Sequence, residues 1–256
     1  MVETRRVRVE HVMGTAVGLD LREPWVDVDA VDAFFAWLHE VDARFSTYRP
    51  DSEISRIAGG ELTVAAAHPD VREVLELCEE VRRCSGGRFA VERPGGAIDP
   101  SALVKGWSVE RGARLLTAAG ARNLCINAGG DVLALGEPER GRRWRVGIRH
   151  PHVAGRVAAV LSVRDLAVAT SGLYERGDHI LDPQSGRPAR GLLSMTVVGP
   201  SLTLADAYST AAFVMGEEGA PWVAGIAGYG AYAITAERRC LWSDACEALL
   251  VQDPGV

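Results

Sequence analysis

Apolar residues recur along this chain at two periods, three to four residues in some stretches and two in others. Val31, Phe34, Phe35, Leu38, Val41 and Phe45 lie on one helical stripe and predict a helix from Val28 to Phe45. Val71, Val74, Leu75, Cys78 and Val81 predict a second from His68 to Ser85, stopped by Gly86-Gly87. A third runs from about Ala102 to Ala119 and closes at Gly120. A fourth runs from Leu204 to Met215, with Thr203 as its expected cap and Gly216 as its stop. Ile54 to Ile57 reads as a short helical turn, and Glu218 to Ala227 as a late helix.

Between these, the period drops to two. Val7 and Val9 alternate with Arg6, Arg8 and Glu10; Met13-Gly14-Thr15 interrupts the alternation, and Ala16 to Leu21 resumes it as a second strand or a bulged continuation. Ala97-Ile98, Leu124 to Asn127, Val132 to Leu135, Arg143 to Ile148, Arg156 to Val163 and Leu166 to Thr170 read as strands. So do Leu193 to Val198, Ala231 to Thr235 and a short segment near Leu241. No repeat, low-complexity linker or composition break divides the chain. The expected fold is one α/β (α+β) domain over residues 1–256, with mixed β-sheets flanked by helices.

Composition narrows the function classes. With 47% hydrophobic and 24% charged residues, the 256-residue chain is an ordinary globular one with ample core. A net charge of −6 argues against nucleic acid as a partner and against a polybasic membrane surface. The five cysteines (Cys78, Cys84, Cys125, Cys240, Cys246) are odd in number, and none pair at metal-knuckle spacing. They read as reduced thiols. The charged start Met1-Val2-Glu3-Thr4-Arg5-Arg6 precedes no apolar core segment, and no apolar run approaches the ~20 residues of a membrane span. A cytoplasmic protein without a membrane anchor is expected.

The candidate chemistry centres on Ala97 to Asp131. Asp99-Pro100-Ser101-Ala102-Leu103-Val104-Lys105-Gly106-Trp107 carries an acid and a lysine across a turn into a helix; Asn127-Ala128-Gly129-Gly130-Asp131 ends the following strand in a glycine turn. Helix-start amides and a lysine suit phosphate oxygens, and glycines let backbone approach a ligand. An ordinary cap and turn in a strand–helix–strand unit would use the same residues. Asp206 and Thr210, four apart on the fourth helix, offer hard oxygens of the kind Mg²⁺ takes; an acid early in a helix is also favourable for its own sake. His179 stands in a loop before Asp182-Pro183, where a histidine can act as a base or contact phosphate, or simply be solvated. Tyr48, on the loop before Pro50, can stack on a flat heterocycle or cap the core.

Taken in order, the motifs are more specific than any one alone. Met13-Gly14-Thr15, Phe45 to Ser55, Ile98 to Trp107, Asn127 to Asp131, Thr170-Ser171-Gly172-Leu173-Tyr174, His179-Ile180-Leu181-Asp182-Pro183 with Gly186, and Ala205 to Thr210 together resemble the ApbE family. These are FAD:protein FMN transferases. The resemblance runs from about Val9 to Thr235. It implies Mg²⁺-dependent cleavage of the FAD pyrophosphate, transfer of FMN through a phosphoester to a threonine or serine of an acceptor flavoprotein, and release of AMP. Residue by residue, it implies that Met13 and Tyr48 lie along the flavin, that Asp99 and Lys105 contact FAD, and that His179 sits near the diphosphate, where a weak hydroxyl nucleophile would need a base. It also implies that Asp206, Thr210 and the carbonyl of Ala102 hold the metal. The chain departs from the family pattern at Gly87-Arg88-Phe89-Ala90, where a carboxylate is usual after the phenylalanine; Glu92 is two residues on. Two other activities would use the same parts: an FAD pyrophosphatase in which water replaces the acceptor, and a module that holds FAD without turnover.

Overall fold

The computed structural model describes residues 5–93, 96–153, 155–172 and 180–252. Strands β1 (Arg6–Val12) and β2 (Thr15–Leu21) form a hairpin. Met13 and Gly14 turn it at φ 54° and 69°, the left-handed pair that a two-residue hairpin turn requires. The resumed alternation is therefore a second strand.

Helix α1 (Val28–Phe45) follows, capped by Asp27 and burying its whole apolar stripe from Val31 to Phe45. Short α2 (Glu53–Ala58) is capped by Ser52, and α3 (Pro69–Cys84) starts at its proline. The expected strand at Ala97-Ile98 is only an isolated bridge, Ile98 to Glu92. Helix α4 (Ser101–Ala118) then leads to β3 (Leu124–Ala128) and β4 (Asp131–Leu135). Next come β5 (Trp144–Arg149), β6 (Val157–Val163), β7 (Leu166–Gly172) and β8 (Leu192–Gly199). Helix α5 (Leu202–Met215), helix α6 (Gly219–Ala224), β9 (Gly230–Thr235), β10 (Cys240–Trp242) and a last turn of helix, α7 (Asp244–Glu247), complete the described fold. Ser201, not Thr203, caps α5; Thr203 falls inside the first turn.

Eight strands make one sheet in the order β1-β2-β3-β4-β7-β8-β9-β10, and β5 pairs with β6 apart from it. Every pairing among these strands is antiparallel, where mixed sheets were expected. The reason lies in the helices. Helix α5 leaves β8 and returns the chain antiparallel to it at β9, so it covers the sheet without making the crossover that parallel neighbours need.

One sheet face, with Leu19, Ile126, Leu133, Ala169, Met195 and Val197, packs under α1, α4 and α5. The other, with Val132, Val168, Val198 and Ile234, packs against Trp144, Val146, Ile148 and Leu161 of the small sheet. A third core joins the outer helices, where Val71, Val74 and Val81 of α3 meet Leu103, Val104 and Trp107 of α4. Helix α4 thus has core on two sides, which accounts for its weak amphipathic pattern.

The alternation at β1 holds with its faces reversed. Val7 and Val9 are more than half exposed, while Arg6 donates to the Val26 carbonyl and Arg8 lies over the Phe35 ring. An edge strand can turn its valines out because the arginine stems cover the apolar side of α1. Among the described residues no helix is long and apolar enough to cross a membrane. All five cysteines are unpaired, and burial pushes the Cys78, Cys125 and Cys246 thiols up to about 12.

Candidate functional site

Three segments converge at one end of the main sheet. The β3–β4 turn, Gly129-Gly130, has φ of 62° and 104°, and a Cβ on Gly129 would stand 2.5 Å from Thr15 Oγ1. Only glycine lets this turn pack against the β1–β2 hairpin. It delivers Asp131 at the start of β4, 1% exposed. The Thr170 N–H of β7 donates to Asp131 Oδ1 at 3.0 Å.

The second segment is the N-terminal half of α4, and the third is α5. They cross at Gly106, where an added Cβ would meet the Leu202 carbonyl oxygen at 2.4 Å and Asp206 Cβ at 3.1 Å. That approach brings the Gly106 N–H within 3.1 Å of Asp206 Oδ2, to which it donates. In an α-helix the same amide points at the carbonyl four residues back, here that of Ala102. The Ala102 carbonyl and the Asp206 carboxylate therefore share one patch of α4. Asp206 is 4% exposed.

Lys105 joins the three. Its ammonium pairs with Asp131 Oδ2 and lies 3.7 Å from Asp206 Oδ1. A chain of hydroxyls extends the cluster. Ser209 Oγ donates to the Asp206 carbonyl at 2.9 Å, and Ser171 Oγ of β7 lies 2.8 Å from Ser209 Oγ and 3.0 Å from Thr210 Oγ1. Ser171 thus ties the end of β7 to the face of α5 that carries Asp206 and Thr210.

The other expected site residues divide. Met13 packs against α4, its sulfur 3.4 Å from Ser108 Oγ, which donates to the Lys105 carbonyl at 2.8 Å. The Tyr48 ring is 89% exposed and caps no core. Its loop is braced from below: the Tyr48 N–H donates to Ser46 Oγ, and Ser52 Oγ donates to the Ser46 carbonyl. Asp99 spends both carboxylate oxygens locally, accepting from the Ser101 N–H at 3.1 Å and from Arg93 Nη2 at 3.2 Å. His179 lies outside the described residues. Asp182, downstream of it, closes its own turn by accepting from the Gln184 N–H and Ser185 Oγ.

Three contributors had no role assigned from sequence: Asp131, Ser171 and Gly106. The signal for Asp131 was present, an acid directly after a glycine pair at the start of an apolar strand. Ser171 and Gly106 lie inside motifs of the family likeness, but the motifs gave neither a role, because each acts through a neighbour far away in sequence.

The donor set fits a hard cation. Among the described residues no group of three or more His, Cys, Asp and Glu could hold a metal ion. What α5 presents beside the start of α4 is one carboxylate and, one turn along, a hydroxyl, next to a second carboxylate paired to lysine. Mg²⁺ accepts such sites, taking one or two carboxylates and completing its shell from water and substrate phosphate. A groove of about 390 Å³ opens on the opposite flank of α4, lined by Glu73, Glu80, Trp107, Arg111 and Tyr208 among others; it contains none of the cluster residues.

The profile described as the ApbE family matches residues 13–93 and 90–232. A Rhodobacter capsulatus protein named FAD:protein FMN transferase is 40% identical over 74% of this chain and 35% of its own length. A Vibrio cholerae protein of the same name is 30% identical over 71% of this chain and 72% of its own. The chain therefore spans about a third of the first relative and nearly three quarters of the second. In fold, it resembles the structure titled flavin transferase ApbE from Vibrio cholerae, with a TM-score of 0.84 at 23% identity, covering 96% of this chain and 99% of that one. An ApbE protein from Thermotoga maritima superposes at a TM-score of 0.86 and 20% identity, covering 97% of this chain and 100% of that one.

Proposed function

The chain belongs to the ApbE family, and from that premise we propose that it moves FMN from FAD onto a hydroxyl of an acceptor protein. The observation that carries the reading is the cluster of Lys105, Asp131 and Asp206, with Thr210 one turn along α5. A flavin-holding module has no need of buried acids gathered around a lysine, whereas splitting a diphosphate needs positive charge placed where negative charge develops.

In this reading Asp206, the Thr210 hydroxyl and the Ala102 carbonyl hold Mg²⁺, which when bound screens the diphosphate and stabilises the departing phosphate. Lys105 supplies a point charge to the same oxygens. Met13 and the exposed ring of Tyr48 flank the isoalloxazine, and Asp99, at the start of α4, contacts the FAD. His179 takes the proton from the acceptor threonine (or serine) hydroxyl. The oxygen of that hydroxyl forms a bond to the FMN phosphorus as the bond to the AMP oxygen breaks, so FMN ends on the acceptor through a phosphoester and AMP leaves. The cytoplasm is the proposed setting, supported by five unpaired cysteines, two of them exposed.

The test is a denaturing gel under ultraviolet light after incubation with FAD, Mg²⁺ and a candidate acceptor. A fluorescent acceptor band is expected, with AMP in equal amount. Free FMN and AMP without a band would make the protein a pyrophosphatase, and unchanged FAD would make it a binding module. His179→Ala should keep FAD bound and lose about 10²–10⁴-fold in transfer rate, the usual worth of general-base help. An unchanged rate at saturating FAD would remove His179 from the chemistry.

A further inference from the structure

Lys105 has two different relations to its two acids. Asp131 Oδ1 is fixed by the Thr170 amide, and Asp206 Oδ2 by the Gly106 amide. Each acid thus has one oxygen anchored to backbone and turns the other toward the same ammonium. Asp131 Oδ2 is sealed from solvent and pairs directly with the ammonium. Asp206 Oδ1 is farther from that nitrogen, at 3.7 Å. The lysine is therefore held by Asp131 and shared with Asp206.

Each ligand alone meets a cost at this cluster. A divalent cation must compete with the ammonium for Asp206, and a dianionic diphosphate must approach two carboxylates. A cation and a diphosphate together remove both costs, because the cation takes the carboxylate and the diphosphate takes the ammonium.

We propose that Lys105 is a resident counter-ion that occupies the cation position at Asp206 until a divalent cation and a diphosphate arrive together. The cation then takes Asp206, and Lys105 swings to the diphosphate while remaining tethered by Asp131. Asp131 is a positioning residue in this scheme, acting on substrate only through Lys105. A lysine suits the role because it is a point charge on a flexible stem, able to exchange one oxygen partner for another. The consequence is cooperative binding: each ligand is weak alone and tightens the other by the same factor.

The inference rests on the proposed function for the chemical class of its two ligands, but its test needs neither FAD nor an acceptor. Mn²⁺ is titrated against the full chain by electron paramagnetic resonance, with and without saturating ADP-ribose, a diphosphate that cannot donate FMN. In the wild type ADP-ribose should tighten Mn²⁺ at least about fivefold, within the 5- to 150-fold range usual for coupled sites. Lys105→Met should tighten Mn²⁺ alone by a similar factor and leave ADP-ribose little to add. Asp131→Asn should weaken Mn²⁺ alone, because the ammonium then leans wholly on Asp206. Should Lys105→Met fail to fold, the pair Lys105→Met/Asp131→Asn, which removes one charge of each sign, should bind Mn²⁺ more tightly than Asp131→Asn. Unchanged or weaker Mn²⁺ binding on removal of Lys105 overturns the inference, as does absence of saturable Mn²⁺ binding in every variant. A protein with this order of affinities that transfers no FMN would refute the proposed function and leave the counter-ion role standing.

Discussion

Helix α4 carries charged clusters on two opposite flanks, and they are built differently. On one, Lys105 stands between Asp131 and Asp206. On the other, Arg111 donates to Glu73, and Trp107 Nε1 donates to the same carboxylate at 3.1 Å. Asp70 lies beside them, with Arg44 Nη1 at 2.9 Å, Arg111 Nη2 at 3.8 Å and His68 Nδ1 at 3.3 Å. Burial pushes the Glu73 carboxyl up, but hydrogen bonds from Trp107 and Arg111 outweigh it and leave it below the ordinary value. The arginine cluster is satisfied within the protein, through forked donors that fix geometry. In the lysine cluster a sealed carboxylate oxygen of Asp131 pairs with an ammonium that also lies 3.7 Å from Asp206. The first cluster joins α4 to β4 and α5 through a lysine, and the second joins α1, α3 and α4 through arginines.

The comparison can be broken at either end. The largest effect should follow Asp206→Ala, which on this reading removes the main metal charge. Transfer rate should fall at least about 100-fold, beyond the 10- to 100-fold typical of residues that only support a ligand, while FAD affinity changes far less. Full activity at ordinary Mg²⁺ would erase the distinction between the clusters. Asp70→Ala attacks the other flank and should cost about 2–3 kcal/mol of stability, below the 3–5 of a fully buried pair because Arg111 stays partly wet. Denaturant unfolding measures it, and Mg²⁺ dependence of the folded fraction should not move; a changed metal requirement would mean that the two clusters are coupled.

Gly106→Ala sharpens the comparison, because it acts on geometry without touching a charge. Its Cβ meets backbone at 2.4 Å, so α4 and α5 must part. Overpacking of this kind costs about 1–3 kcal/mol, offset in part by alanine's better helix propensity, near 1 kcal/mol. Lower thermal stability together with weaker metal dependence is expected; an alanine variant as stable and active as wild type would show that the crossing does not set the site. Tyr48→Ala should have the smallest effect. Loss of a stack worth about 0.5–1.5 kcal/mol weakens FAD about two- to twelvefold, and flavin fluorescence in the complex should brighten. Because Tyr48 is 89% exposed, the melting curve should not shift.

Much of this architecture was readable from local pattern. The stripe from Val31 to Phe45 marks α1 to the residue, since a helix's period repeats within its own sequence. The Met13-Gly14 turn, the end of α3 at a glycine pair and the motif order were equally local. Faces were harder to read. Val7 and Val9 carried the right period and the wrong side, because which side of a strand is covered depends on a helix 20 residues away. The Asp206–Thr210 pairing on one helix face could be foreseen, but its meeting with Asp131 could not.

By itself, then, the sequence determined most of the elements, their boundaries to within a few residues, the family likeness and the residue types available for chemistry. Only the tertiary structure decided that the sheet is antiparallel, that Asp99 accepts from Arg93 and from the Ser101 amide, and that Lys105 is shared by two acids from different elements. Gly106 against Leu202, Asp131 against Thr170 and Lys105 against Asp206 are separated by 96, 39 and 101 positions. Such contacts follow from how close two backbones can approach and from which buried charges need a partner, and neither is written in the periodicity of any one segment.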